Sequence, residues 1–338
     1  MNISFFEKKP NINDIEFTDK YYQSFKSFDL ETMPNLIFNG PRGSGKTTKI
    51  YAFLCSILDN RVYSIKNNEI ELDKKTFKFK SSIYHLEIDC IELLNNERIF
   101  FNHYLKEYCE TRNIGLDKPK IIYFMNIEKI HKNSLLYLRK VIENNYQSAK
   151  FIFETTNISS ITNTLISRFL TIRIKSPPRE NIELVLKKII KENKYKISKS
   201  ILNKIIDNDI KYKNHHDLNN IFLNFYYYIE TKKILINNFY NTIDELISIV
   251  TSKKVEFIGV IHIKSICEKI FINCYDVNEL VMCIANILLN KYKDNIPVCE
   301  NLIIVSNECT MNLKSSTGKY FIHLENYIIK LIILLQKN

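Results

Sequence analysis

At 338 residues, 45% of them apolar, the chain is too long for one ordinary core and too hydrophobic to be disordered, so two or three packed domains are expected. Its net charge of +11 favours a polyanionic partner, although Lys supplies 40 of the 48 cationic side chains and a compositional bias toward Lys, Asn and Ile gives the same surplus. Eight cysteines without a C-x-x-C pair argue against zinc and for reduced, packed thiols, and no leader or membrane-length apolar run is evident, so a soluble intracellular protein with no membrane partner is expected.

Taken in order, residues 5–15 read as a loop and residues 21–28 as an amphipathic segment. The informative stretch follows. Leu36-Ile37-Phe38-Asn39 is an apolar strand, and Gly40-Pro41-Arg42-Gly43-Ser44-Gly45-Lys46-Thr47-Thr48 is a glycine loop opening a helix. Three of the six glycines of the chain fall within this loop. In G-x-x-x-x-G-K-[ST] the glycines let backbone N–H groups turn inward around phosphates, and the helix that follows adds its positive end. Lys46 is then expected on the β- and γ-phosphates of ATP and Thr47 on Mg²⁺.

Residues 47–58 carry helical periodicity, residues 61–83 suggest strands with a Lys-rich hairpin near 73–80, and residues 83–88 read as a core strand. Asn95-Asn96-Glu97-Arg98 predicts a helix start, with an amphipathic helix running to about Thr111. Lys120–Glu128 reads as the buried strand that ends in acidic residues in P-loop ATPases, yet here Met125 and Asn126 stand at those places. Neither side chain can carry a metal's charge or act as a base, and Glu128 lies two positions further on, so little hydrolysis is expected at this site. A helix over 133–146, a strand over 150–155 and a last strand over 170–174 complete an alternating pattern, which predicts an open parallel sheet flanked by helices. Pro177-Pro178 marks a boundary, after which helices are predicted almost throughout, including 179–194, 198–207 and 217–231. The expected organisation is an α/β nucleotide-binding domain over 1–176, a helical lid over 177–236 and an all-α domain over 237–338.

This pattern resembles the small subunits of replication factor C, the sliding-clamp loader of the AAA+ class. The resemblance rests on Phe5-Phe6-Glu7-Lys8-Lys9-Pro10, on Met33–Pro41 entering the P-loop, on Asn157 at the sensor 1 position and on Ser167-Arg168-Phe169, similar to a Ser-Arg-Cys motif. Tyr84-His85-Leu86-Glu87-Ile88, Asn126-Ile127-Glu128-Lys129-Ile130 and Gly318–Glu325 look most like the member with a degenerate Walker B. The resemblance implies an AAA+ module with a helical lid and a helical collar that joins neighbouring subunits. It implies a hetero-oligomeric spiral of five subunits, acting with a PCNA-type sliding clamp on primer-template DNA, in a nucleus or other replication compartment. Arg168 is then an arginine finger reaching a neighbour's ATP, where a planar permanent charge offsets charge on the transferring phosphoryl group. Asn219 stands at the position of the sensor 2 arginine.

DNA contacts of such a spiral go to the backbone rather than the bases, with Arg98 as first candidate and Lys129 and Lys132 next. Adjacent His215 and His216 point about 100° apart on a helix and lack partners at ligand spacing, which argues against a metal site. Two rival readings remain: a self-sufficient AAA+ ATPase of the origin-binding or helicase-loading type, and a scaffold that holds nucleotide without turning it over.

Overall fold

The computed structural model describes residues 29–93, 96–111, 119–207, 217–233, 238–251, 257–273, 275–315 and 320–336. The segments 5–15 and 21–28, His215-His216 and Gly318-Lys319 lie outside the described residues. The chain divides into two compact units, Met1–Asn193 and Lys194–Asn338.

The first unit is built on one seven-stranded sheet: β1 (Leu36–Asn39), β2 (Lys66–Leu72), β3 (Lys75–Ser81), β4 (His85–Asp89), β5 (Lys120–Met125), β6 (Ala149–Thr155) and β7 (Leu170–Arg173). Their spatial order is β2-β3-β4-β5-β6-β1-β7. The β4-β5, β5-β6, β6-β1 and β1-β7 pairs are parallel, and the β2-β3 hairpin is antiparallel and joins β4 antiparallel at the edge. The predicted Lys-rich hairpin turns at Asp73 and Lys74, both with positive φ, the geometry that matches the twist of two-residue hairpins.

Strand periodicity decides what each face carries. On β5, Ile122 and Phe124 join Phe151 and Phe153 of β6 in one core, whereas Ile121 and Tyr123 join Ile152, Leu36 and Phe38 in the other. Helix α1 (Lys46–Ile57) covers the second face with Ile50, Phe53 and Leu54. The first face is covered by a helix over 97–110, here α2, which contains one π-helical segment at Phe101–Leu105, and by α3 (Lys132–Asn144). After Pro177-Pro178, α4 (Arg179–Glu192) closes the unit.

Among the described residues the regular elements of the second unit are all helices: α5 (Lys199–Asp207), α6 (Leu218–Thr231), α7 (Asn238–Val250), α8 (Phe257–Ile272), α9 (Val277–Lys291), α10 (Ile296–Ser315) and α11 (Tyr320–Gln336). Helices α7 to α11 share one core that includes Ile243, Leu246, Ile266, Ile284, Leu302, Tyr327 and Leu331. Inside it the Tyr327 hydroxyl lies 3.1 Å from Ser306 Oγ, so the polar end of a buried aromatic is satisfied between α10 and α11. No described helix is long and apolar enough to cross a membrane.

Candidate nucleotide-binding site

Strand β1 delivers the chain to Gly40, where the backbone is hemmed in. A Cβ on Gly40 would sit 2.3 Å from the carbonyl oxygen of Ile174, so only glycine passes between that backbone and the loop. Gly43 (φ 68°) and Gly45 (φ 80°) then take left-handed conformations, and Gly45 caps α1. Lys46 is 5% exposed, and its ammonium donates to the carbonyls of Gly40 and Pro41, both at 3.0 Å. The lysine thus spans the mouth of its own loop. Ser44 Oγ is buried with no hydrogen-bond partner among the described residues. A glycine loop at a helix start, a buried lysine and an orphaned hydroxyl fit a polyphosphate. Pro41 and Gly43 are half-buried along the loop, while Arg42 and Thr48 are exposed.

Beneath α1 lies a polar layer set by the same alternation that builds the core. His85 and Glu87 of β4, Tyr123 of β5 and Glu154 of β6 all point to the α1 side. The Tyr51 hydroxyl of α1 donates to Glu87 Oε1 at 2.5 Å, and His85 Nε2 lies 2.7 Å from the same oxygen. An ionised carboxylate only accepts, so His85 carries its proton on Nε2, and Nδ1 accepts from the Ser82 hydroxyl at 2.6 Å. Thr47 Oγ1 lies 3.2 and 3.3 Å from the two oxygens of Glu154, whose Oε2 also accepts from the Tyr123 hydroxyl. Lys46 Nζ is 3.9 Å from Glu154 Oε1. Burial and the facing carboxylate push the Tyr123 phenol far above its ordinary value, so it stays protonated and donates to Glu154.

Met125 packs against the α1-side core, and Asn126 stands in a left-handed conformation (φ 54°) that Asn tolerates better than most residues. Its amide donates to Asp89 Oδ1 at 3.0 Å. Glu128 accepts from the Thr156 hydroxyl at 2.7 Å, and its other oxygen is buried without a partner among the described residues. Asn157 is exposed, and its side-chain oxygen accepts from the Ser159 amide and hydroxyl at 3.1 and 2.7 Å, so it caps the turn after β6.

Arg168 follows a helical turn, Asn163–Ile166, and precedes β7. Phe169, where the similar motif has Cys, stacks on Phe153 of β6 at 4.3 Å between centroids. The next amide, Leu170, donates to Asn35 at 2.8 Å, so the base of Arg168 is fixed to the sheet. Its guanidinium, 37% exposed, lies 2.5 Å from Glu143 Oε1 at the end of α3 and donates to the Thr164 carbonyl and to Ser167 Oγ. Among the described residues, none of these bonds goes to its own P-loop.

Arg98 on α2, Lys129 after β5 and Lys132 at the start of α3 are all exposed. Asn219 is an exposed residue in the first turn of α6, where its amide is capped by Asp217 at 3.0 Å. Reading from sequence missed Glu154, Glu87 and Tyr123. The available signal was an acid inside the otherwise apolar run Phe151-Ile152-Phe153-Glu154, since a buried strand rarely carries a carboxylate without a partner.

No protein-family model matches the chain. Among curated proteins it is 27% identical over 188 residues to replication factor C subunit 5 of Schizosaccharomyces pombe, covering 52% of this chain and 51% of that protein. It is 28% identical over 186 residues to a putative replication factor C small subunit of Acanthamoeba polyphaga mimivirus, covering 53% and 50%. The chain spans about half the length of the curated relatives it matches. Among solved structures, domain III of the replication initiation protein DnaA of Thermotoga maritima aligns over 64% of this chain and 85% of its own, at 14% identity and a TM-score of 0.43.

Proposed function

Starting from a chain similar to the small subunits of replication factor C, we propose that it is a clamp-loader subunit that holds ATP and turns it over weakly or not at all. The observation that carries this reading is an intact P-loop beside a strand end without an acid: Lys46 and Thr47 are in place, while Met125 and Asn126 occupy the end of β5. The loop 40–48 would hold the phosphates, with Lys46 exchanging its carbonyl partners for phosphate oxygens and Thr47 ligating Mg²⁺. When bound there, Mg²⁺ would supply charge neutralisation for the phosphates.

Arg168 serves the adjacent subunit in this reading. Its anchored base and its bonds away from its own P-loop support a role in trans, as a cation that meets charge developing on a neighbour's phosphoryl group. Head-to-tail contacts of this kind do not close as a pair, so several subunits would form the spiral. Exposed Ile304 and Met311 on α10 and Ile322 and Ile329 on α11 support a joining role for the helical unit. The lid over 177–236, the collar over 237–338, sensor roles for Asn157 and Asn219, and backbone contacts by Arg98, Lys129 and Lys132 to primer-template DNA belong to the same proposal, as does work with a PCNA-type clamp in a replication compartment.

The deciding experiment mixes the purified chain with candidate partner subunits and measures ATP binding, complex ATPase and clamp loading on primed DNA. The expected outcome is ATP binding lost in Lys46→Ala and complex ATPase lost in Arg168→Ala. Brisk turnover by the chain alone, abolished in Glu128→Gln, would instead support a self-sufficient ATPase, a reading favoured by the Glu128 carboxylate, one oxygen of which has no partner among the described residues.

A further inference from the structure

We infer that Glu154, on β6, supplies the carboxylate that steadies the nucleotide's divalent cation, in place of the acid missing from the end of β5. This rests on the nucleotide-binding reading above and adds to it a residue that the P-loop pattern does not predict.

In P-loop proteins the cation is held between the loop's Ser or Thr hydroxyl and an acid at the end of a nearby strand. Here the strand that ordinarily supplies that acid ends in Met125, which packs into the core, and Asn126, whose amide is turned to Asp89. Of the neighbouring carboxylates, Asp89 accepts from Asn126 and from the Ile91 amide and Glu87 from Tyr51 and His85. Among the described residues Glu128 accepts from Thr156 through one oxygen, has the other unpaired, and makes no hydrogen bond to the phosphate loop. Glu154 differs from all of them. It contacts Thr47, the hydroxyl expected on the metal, and it sits on the strand directly paired with β1, in register with Phe38 two residues ahead of the loop.

Charge supports the assignment. A carboxylate that is only 13% exposed needs a cation or several donors to offset its desolvation. Among the described residues Lys46 is the one cation within 4.0 Å of Glu154, and at 3.9 Å it is already bonded to two carbonyls. Tyr123 and Thr47 provide two hydroxyl donors against about four lone-pair sites. Acceptor capacity and negative charge are therefore left over beside the threonine where a cation is needed. The longer Glu side chain suits a position set back along the strand. Nothing in this arrangement provides a base for an attacking water, so it is consistent with a site that holds nucleotide.

The test is equilibrium binding of a fluorescent ATP analogue to the full chain, with Mg²⁺ and with EDTA, for the wild type, Glu154→Gln and Glu154→Asp. Electron paramagnetic resonance of Mn²⁺ in the ATP complex provides a second readout. The wild type should bind more tightly with Mg²⁺. Glu154→Gln should lose about 10-fold to 100-fold of that enhancement while its affinity in EDTA is unchanged or higher, and Glu154→Asp should recover part of it. Full enhancement in Glu154→Gln overturns the inference. So does an equal loss in both media that Asp does not repair, which would make Glu154 a support for α1 only. Equal wild-type affinity in Mg²⁺ and EDTA removes the cation role but leaves the nucleotide reading standing. Absence of wild-type binding in either medium removes both.

Discussion

Arg168 Nη2 lies 2.5 Å from Glu143 Oε1, so the arginine expected to serve a neighbouring subunit is held within its own chain by the last turn of α3. Both side chains are more than a third exposed, which keeps the pair weak, at about 0–1 kcal/mol. Arg168→Ala and Glu143→Ala should each change the stability of the isolated chain by no more than about 1 kcal/mol in urea unfolding. In an assembled complex they should part company. Arg168→Ala should lower turnover at the adjacent subunit's site by about 10³-fold or more, the scale of arginine-finger losses, and the ATPase of the complex by that site's share, whereas Glu143→Ala should leave it near the wild-type value. Equal loss in both variants would mean that the ion pair, rather than the arginine, is what matters.

Gly40→Ala should be poorly tolerated, because the added carbon would meet the Ile174 backbone oxygen at 2.3 Å, and a backbone atom has little freedom to retreat. A loss of about 1–3 kcal/mol or more is expected, together with impaired ATP binding. Calorimetry and nucleotide titration would check this, and a variant of wild-type stability and affinity would show that the strand end yields.

Tyr123→Phe removes a buried donor from Glu154 without changing the packed ring. The carboxylate left short of a partner should cost about 1–3 kcal/mol of stability. Adding Glu154→Gln to this variant should cost less than the two single losses summed, since they share one interaction.

Burial pushes the Cys109 and Cys267 thiols up to about 12 and the Cys309 thiol up to about 11, from an ordinary value of 9.0. In the folded chain these groups stay protonated where the unfolded chain has begun to lose protons. Their contribution to stability is therefore complete below about pH 9 and is lost as pH rises through 11 to 12. The melting temperature should fall steadily above pH 9. Alkylation at pH 8, mapped by mass spectrometry, should mark the half-buried Cys55 and Cys299 well before the buried Cys90, Cys109, Cys267, Cys283 and Cys309.

Ile304→Asp and Met311→Asp, at exposed positions one heptad apart on α10, should leave folding intact and weaken association with partner subunits, as followed by sedimentation. Unaltered association would place the joining surface elsewhere.

Where local chemistry decides the conformation, the sequence was legible. The phosphate loop is set by its own glycines, the hairpin by alternation around Asp73-Lys74, and β4 to β7 with α1 and α3 by apolar periodicity. The expected helix after Asn95-Asn96 begins at Glu97, although the π-helical segment at Phe101–Leu105 carries no local signature. The site was less legible because its polar contacts join residues far apart in the chain. Thr47 meets Glu154 across 107 positions, and the acid sought at the end of β5 draws attention away from a carboxylate one strand over. The Ser167-Arg168-Phe169 motif marks Arg168, but the tie of its side chain to Glu143 depends on how α3 lies over the sheet.

Phe153 and Glu154 are consecutive on β6, so they face opposite sides of the sheet. Phe153 underpins the turn that carries Arg168, and Glu154 reaches the threonine of the chain's own loop. A single strand residue-pair is thus a common footing for the turn that carries Arg168 and for the threonine of the phosphate loop. On the roles proposed above, a substitution that displaces β6 would disturb both at once.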